Sequence, residues 1–476
     1  MTLEKFEKKL SGPDIVRSLR RGIIGDNIEI TSPLGKVPLV YADYTASGRA
    51  LTQVEDFISK HVLPFYANSH TESSFCGAYT TKLREEARRV IARETNAGNN
   101  YTVIFSGSGA TAGVNRLISL VNVAGQEKTP TVFIGPYEHH SNILPWRESG
   151  AEVIEISEDE KTGVDLEALE KELSSRMDGR LLIGSFSAAS NVTGILTDVD
   201  AVTKLLKKYG ALSFWDYAGG APYLSIDMAP ADGLEKDAVF LSPHKFPGGP
   251  GASGLLIIKN SIVKNTKPTW PGGGSVSYVS PWGHDYLDSI SEREEAGTPN
   301  IIGDIRAALV FLVKAAVGQD FITNRNHVLV KRALSIWNAN PSINILAGNR
   351  YNRVPIFSFI VNDENGKHYH HHLATQILSD ITGIQARGGC ACAGPYGHRL
   401  LGVEREQSEN IRCEISQGKE IEKPGWVRLN LSYLFTDEKV DYIIKKINEF
   451  PKEISRYSKY YNGDTSTARF AAVLQK

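Results

Sequence analysis

Cysteine is scarce in this chain: Cys76, Cys390, Cys392 and Cys413 are the only four among 476 residues. Four thiols cannot build the disulfide framework of a secreted scaffold, and Cys390-Ala-Cys392 is too tight for an ordinary unstrained bridge. The expectation is a reducing compartment in which thiols stay available for chemistry. Long apolar runs are also missing. The longest apolar stretch, Ala307-Ala-Leu-Val-Phe-Leu-Val313 continuing past Lys314, is too short to span a bilayer, and the first ten residues carry charges where a secretory signal needs an apolar core. Neither sign of charge dominates, with 53 basic residues against 54 acidic and a formal net charge of -1. Such a balance provides no field to draw in nucleic acid or an acidic membrane. Internal repeats and low-complexity segments are absent. A cytoplasmic globular protein, without membrane or nucleic-acid partners, is expected.

What the chain does have is alternation. Between Tyr41 and Asn300, short β-rich runs at 102–105, 131–134, 153–156, 181–186, 212–215, 238–241 and 254–258 are separated by helical patterns such as 165–176 and 198–209. Several runs are almost continuously apolar, as in strands covered on both faces. This predicts an α/β domain over 41–300 with a mostly parallel seven-stranded sheet flanked by helices, and ligands at the carboxyl ends of the strands. After Pro299 the order becomes mixed, which predicts a smaller α+β domain formed by 1–40 and 301–476. Within it, 395–425 reads as a long polar loop and 460–467 as a flexible turn.

Five strand ends carry residues fit for chemistry. Lys245 follows the strand 238–241 and enters the run Phe246-Pro-Gly-Gly-Pro-Gly251, where a ligand has room; Asp216 ends the strand 212–215. A lysine to bond an aldehyde and a carboxylate to keep a pyridine nitrogen protonated are what an enzyme holding pyridoxal phosphate needs. Phe105-Ser-Gly-Ser-Gly-Ala110-Thr111 runs from a strand end into a helix start, a ready phosphate site. His139 could lie on an aromatic cofactor and move protons, and the Asn191 amide could bond a cofactor oxygen or a substrate carboxylate. Each of these has a bland alternative as a turn or cap residue when taken alone. Arg387-Gly-Gly-Cys-Ala-Cys392 offers a guanidinium fork for a carboxylate and two thiols on a glycine-flanked loop. Metal binding through the thiols and His368-Tyr-His-His-His372 is the competing reading. His371 and His372 fit the start of an amphipathic helix, and no metal is expected.

Together these residues, with Tyr41-Ala-Asp-Tyr-Thr-Ala-Ser-Gly48, Glu295-Ala-Gly-Thr-Pro-Asn300 and Arg428-Leu-Asn-Leu-Ser432, resemble the class V aminotransferase family of fold-type I pyridoxal-phosphate enzymes. Within it they are most similar to Suf-type cysteine desulfurases and selenocysteine lyases. The resemblance implies that Lys245 holds the cofactor aldehyde, Asp216 pairs with the ring nitrogen and His139 stacks on the ring. It further implies that Ala110, Thr111, Ser242 and His244 hold the phosphate, with Thr298 reaching a neighbouring subunit's site in a homodimer. Arg387 and Asn191 would bind the substrate carboxylate. Cys392 would take sulfur from L-cysteine, or selenium from selenocysteine, as a persulfide that leaves alanine and passes to an acceptor protein.

Three departures from the family pattern stand out: Gly219 in Asp216-Tyr-Ala-Gly219, an extra residue in Gly248-Gly-Pro-Gly251, and Cys390-Ala391 before the thiol. Cys390 could serve as a relay thiol. An aminotransferase, an amino-acid epimerase or a C–S lyase acting on a larger substrate is the alternative chemistry. A non-catalytic scaffold is a third reading, against which the presence of both Lys245 and Asp216 argues.

Overall fold

The computed structural model describes residues 2–69 and 72–473 and separates into two compact units. The first comprises Met1–Ile23, Ser47–Ala189 and Leu196–Phe321; the second comprises Ile24–Ala46, Ser190–Ile195 and Ile322–Lys476.

The first unit is built on a seven-stranded sheet whose strands are β1 (Tyr101–Gly107), β2 (Thr131–Ile134), β3 (Glu152–Glu155), β4 (Leu182–Ser187), β5 (Leu212–Asp216), β6 (Ala238–Leu241) and β7 (Gly254–Lys259). Their spatial order is β1-β7-β6-β5-β4-β2-β3. β7 runs antiparallel to both its neighbours, and the other pairings are parallel. Every residue of β2, β4 and β6 is buried, which is why these strands read as unbroken apolar runs in the sequence. The crossover helices begin where the sequence supplies caps. Asp165 accepts from Ala168 N at 3.0 Å before the helix Leu166–Ser174, and Asp198 from Ala201 N at 3.0 Å before Val199–Lys208. Residues 1–23 belong to this unit, with Leu3, Phe6 and Leu10 buried and Phe6 edge-on to Phe57.

An ionic knot fastens the edge strand β1. The Glu295 carboxylate accepts from Arg84, from both terminal nitrogens of Arg88 at 2.8 and 2.9 Å, and from Phe105 N at 2.8 Å. Arg84 also donates to Asp304 at 2.7 Å. Thus the motif at Glu295–Asn300 ties the helix Phe75–Glu94 to the strand leading into the small-residue loop.

In the second unit, strands β8 (Ile343–Ile345), β9 (Ile356–Val361), β10 (Arg387–Gly389) and β11 (Trp426–Asn430) form a sheet of order β8-β9-β11-β10. The helices Gln319–Trp337, His371–Thr382 and Asp437–Tyr457 bury Leu334, Ile377 and Ile444 in its core. Two expectations are corrected here. Residues 395–425 are not a loop: they form helices at Gly394–Leu401 and Arg405–Ser416 and a short turn at Glu420–Glu422. The second helix buries no residue fully, so its composition is as polar as a loop's, and Ile411 and Ile415 are its only aliphatic residues. Nor is 460–467 a free turn. Tyr461–Gly463 pairs with Phe470–Ala472, and Asp464 accepts from Ser466 N at 2.8 Å and Thr467 N at 2.9 Å to close the hairpin. No helix among the described residues is long and apolar enough to cross a membrane.

Glu295→Gln leaves Arg84 and Arg88 short of a buried counter-charge and should destabilise the protein by about 3–5 kcal/mol. Urea denaturation of the two proteins checks this, and an unchanged midpoint would contradict it.

Candidate active site

At the carboxyl edge of the first unit's sheet, β5 delivers Asp216 and β6 delivers Ser242, His244 and Lys245. Asp216 is 3% exposed, and its Oδ1 accepts one hydrogen bond, from Ala218 N at 2.7 Å. Burial pushes its carboxyl up to about 6, against the pull of that hydrogen bond and of the Lys245 charge. No ion pair among the described residues offsets this cost. Lys245 closes a tight turn over Pro243–Lys245, its N donating to Ser242 O at 3.1 Å. Beside it, burial and the Lys245 charge lower His244 to about 4, so this imidazole is neutral at pH 7.

The small-residue loop sits against the same edge. Gly107 and Gly109 take left-handed φ of 77° and 64°, and the helix Gly109–Leu120 starts without a side-chain cap. Its N-terminal N–H groups are an anion site by geometry. The Ser242 hydroxyl accepts from Ala110 N at 2.9 Å, tying β6 to this helix. A Cβ on Gly254 would stand 2.4 Å from the Gly109 carbonyl, so only glycine lets β7 pass beneath the loop. Thr111 Oγ1 hydrogen-bonds Ser141 Oγ at 2.7 Å, and Ser141 N donates to His139 Nδ1 at 3.1 Å. That bond leaves the proton of a neutral His139 on Nε2. Below it Glu138, absent from the sequence-based set, accepts from Ser187 N and Oγ at 2.7 and 2.6 Å and from Asn142 Nδ2 at 2.7 Å. These bonds clamp the His139 loop to β4. Thr298 is exposed and lines a cavity of about 260 Å³ with Gly107 and Ser108 of its own chain.

The second unit assembles a different group. The Asp43 carboxylate takes Arg387 Nε at 3.0 Å on one oxygen and Arg428 at 3.1 Å on the other. Arg428 is 4% exposed and also donates to Asn191 O at 3.1 Å, whereas Arg387 is half exposed and can present its outer nitrogens to a ligand. Cys390–Ala393 is a tight turn with Ala393 N donating to Cys390 O at 3.1 Å; Ala391 and Cys392 take φ of 53° and 56°. Two successive left-handed positions match a type I′ turn, and each non-glycine residue there costs roughly 1–2 kcal/mol. The Asn191 amide holds the turn by donating to Ala391 O at 2.8 Å, while its buried Oδ1 has no partner among the described residues. Cys392 is exposed, Cys390 only partly so. Of the expected site residues, the structure therefore groups Ala110, Thr111, His139, Asp216, Ser242, His244 and Lys245 in the first unit and Asn191, Arg387 and Cys392 in the second. Asp43 and Arg428, both inside motifs quoted above, had no role assigned from sequence, because their pairing spans 385 positions.

Seven largely parallel strands, a lysine and a buried acid at adjoining strand ends and an uncapped helix start define the architecture of fold-type I pyridoxal-phosphate enzymes. The family model "Aminotransferase class-V" matches residues 40–443, and the chain belongs to that family. A protein of Pyrococcus abyssi named a probable cysteine desulfurase is 29% identical over 376 residues, covering 76% of this chain and 87% of its own. Another of that name, from Halalkalibacterium halodurans, is 27% identical over 364 residues, 75% of this chain and 85% of its own. The apo structure of a cysteine desulfurase from Thermococcus onnurineus superimposes with a TM-score of 0.70 at 23% identity, covering 87% of this chain and 95% of the other. That likeness concerns the fold.

The residues present fit pyridoxal phosphate. A buried carboxylate short of a cation suits a pyridinium nitrogen, and the helix start suits a phosphate. Because the folded-state pKa of Asp216 is raised, its burial cost is absent below the usual value of 3.8 and grows as pH rises through about 6. Without cofactor, Asp216→Asn should match the wild type near pH 4 and exceed its stability at pH 7 by about 3 kcal/mol. Denaturation across that range measures the difference; parallel pH profiles for the two proteins would contradict it.

Proposed function

We propose that this protein is a pyridoxal-phosphate-dependent cysteine desulfurase that takes sulfur from L-cysteine, or selenium from selenocysteine, by the same chemistry. The observation that carries the reading is Cys392: an exposed thiol fixed in a left-handed turn that Asn191 braces, three residues beyond β10, the strand that carries Arg387. An enzyme of this family that only moved amino groups would need no such thiol, and the names of the relatives agree.

Lys245 would hold the cofactor aldehyde, and its amine would move the Cα proton. Asp216 keeps the ring nitrogen protonated, at the cost that its burial imposes in the free protein. His139 would lie on the ring, its orientation set by Ser141. The helix start at Ala110 and Thr111, with Ser242 and His244, would hold the phosphate. When bound, the cofactor supplies an electron sink for bonds broken at and next to Cα. Arg387 grips the substrate carboxylate while Asp43 holds its Nε, and the unpartnered Asn191 Oδ1 stands ready for a donor. The Cys392 thiolate attacks the substrate sulfur; the C–S bond breaks as the S–S bond forms. Cβ takes up a proton, so cysteine and the enzyme thiol become alanine and a Cys392 persulfide. The terminal sulfur then leaves to an acceptor protein's thiol. A homodimer in which Thr298 reaches a second copy's phosphate belongs to the same proposal, as does action in the cytoplasm; the exposure of Thr298 supports the former.

With L-cysteine, the purified protein should yield equal amounts of alanine and persulfide-plus-sulfide sulfur. Cys392→Ala should abolish both, and Arg387→Ala should lower kcat/KM roughly ten- to hundredfold through the lost charged hydrogen bonds. Alanine formation that survives in Cys392→Ala would overturn the role of the thiol. No reaction with cysteine, but amino-group transfer or epimerisation of another amino acid, would establish the alternative chemistry.

A further inference from the structure

Arg116 lies about two turns into the helix Gly109–Leu120, away from the anion site at its start. Helical side chains lean toward the N-terminus, and this one reaches back to donate from a terminal nitrogen to Ser106 O at 2.8 Å. Ser106 stands in β1 just before the left-handed Gly107, so the bond ties the end of the strand to the body of the helix and closes the connection 107–109 between them. Two left-handed glycines in that connection give it backbone freedom that some other contact must restrain. Arg116 is 5% exposed, and its guanidinium carbon lies 4.5 Å from the ring centroid of Trp270.

The acid beside Arg116 is Glu294, itself buried. One Glu294 oxygen accepts from Thr269 N at 3.0 Å. The other stands 3.8 Å from Arg116 Nε, too far for a hydrogen bond, and neither of these two atoms has a hydrogen-bond partner among the described residues. Burial pulls the Arg116 guanidinium below its ordinary pKa and pushes the Glu294 carboxyl above its own. A buried pair made this loosely does not repay its desolvation, so stability is not what it supplies. What it supplies is position. Glu294 and Glu295 are consecutive and secure consecutive residues of β1: Glu295 accepts from Phe105 N directly, and Glu294 faces the arginine that holds Ser106 O.

We propose that Arg116 is a positioning residue for the cofactor phosphate: by holding Ser106 O, with Glu294 and Trp270 orienting its guanidinium, it keeps the connection 107–109 and the N–H groups at Ala110 and Thr111 in the arrangement that receives the phosphate. Arg116 acts through the backbone of the loop. The inference rests on the reading of the strand ends as a pyridoxal-phosphate site and is independent of the desulfurase chemistry.

The test compares the dissociation constants of pyridoxal phosphate and of pyridoxal, which offers the same aldehyde and ring nitrogen without the phosphate, for the full chain freed of cofactor. Arg116→Met should weaken pyridoxal phosphate about tenfold or more and leave pyridoxal within about twofold. Because that substitution strands a buried carboxylate, a double variant carrying Arg116→Met and Glu294→Leu accompanies it. Replacing the buried pair by apolar residues of similar size should return Tm to the wild-type value or above, while the phosphate-specific loss persists. If the single variant fails to fold, the double variant decides alone. Undiminished affinity for pyridoxal phosphate would overturn the proposal, as would a loss that pyridoxal shares equally or one that vanishes once Tm is restored. A wild type that binds neither compound would instead remove the pyridoxal-phosphate reading, and this inference with it.

Discussion

Burying the Asp216 carboxylate without a matching cation is the constraint on which the first unit turns. A lone buried acid is expensive, and a folded chain keeps one only where something outside the chain repays the cost. The sheet delivers Asp216 at the end of β5, with Lys245 just beyond the end of the adjoining β6, and strand pairing fixes the spacing of the two. Ser242 ties β6 to the uncapped helix start, and Glu138 clamps the His139 loop to the end of β4. Acid, amine, imidazole and anion site thus all depend on one set of strand ends, and Glu295 secures the edge strand that feeds the anion loop.

The second unit stores its cost differently, in backbone conformation. Ala391 and Cys392 occupy left-handed positions that neither residue type favours, and Asn191 helps to hold them there. Strain at such a place is characteristic of functional turns. Asp43 divides its carboxylate between a buried and a half-exposed arginine, so Arg387 is oriented by one nitrogen and can offer the others.

Strands covered on both faces are legible because burial demands an apolar residue at nearly every position; all seven sheet strands lie within a residue or two of where the apolar runs place them. The helices at 166–174 and 199–208 are legible through their aspartate caps and periodicity. The helix Arg405–Ser416 was not, because a helix roofing a cavity needs only a narrow apolar stripe on an otherwise charged surface. The strained turn was hidden too: Cys-Ala-Cys-Ala has none of the Asn-Gly chemistry that marks a type I′ turn. Asp43 and Arg428 are brought together by the fold alone, and no local pattern announces a pairing of that range. Residues whose chemistry is announced by a strand end could be found by reading; residues that serve by supporting those groups required the structure.

The central claim, that Lys245 is the covalent anchor of a pyridoxal-phosphate site organised around Asp216, is tested most directly by borohydride reduction of the purified protein followed by peptide mass mapping. The account predicts a single phosphopyridoxyl group, on Lys245, and loss of most of the visible absorbance of the bound cofactor in Asp216→Ala. Label on another lysine, or none after incubation with pyridoxal phosphate, would contradict it.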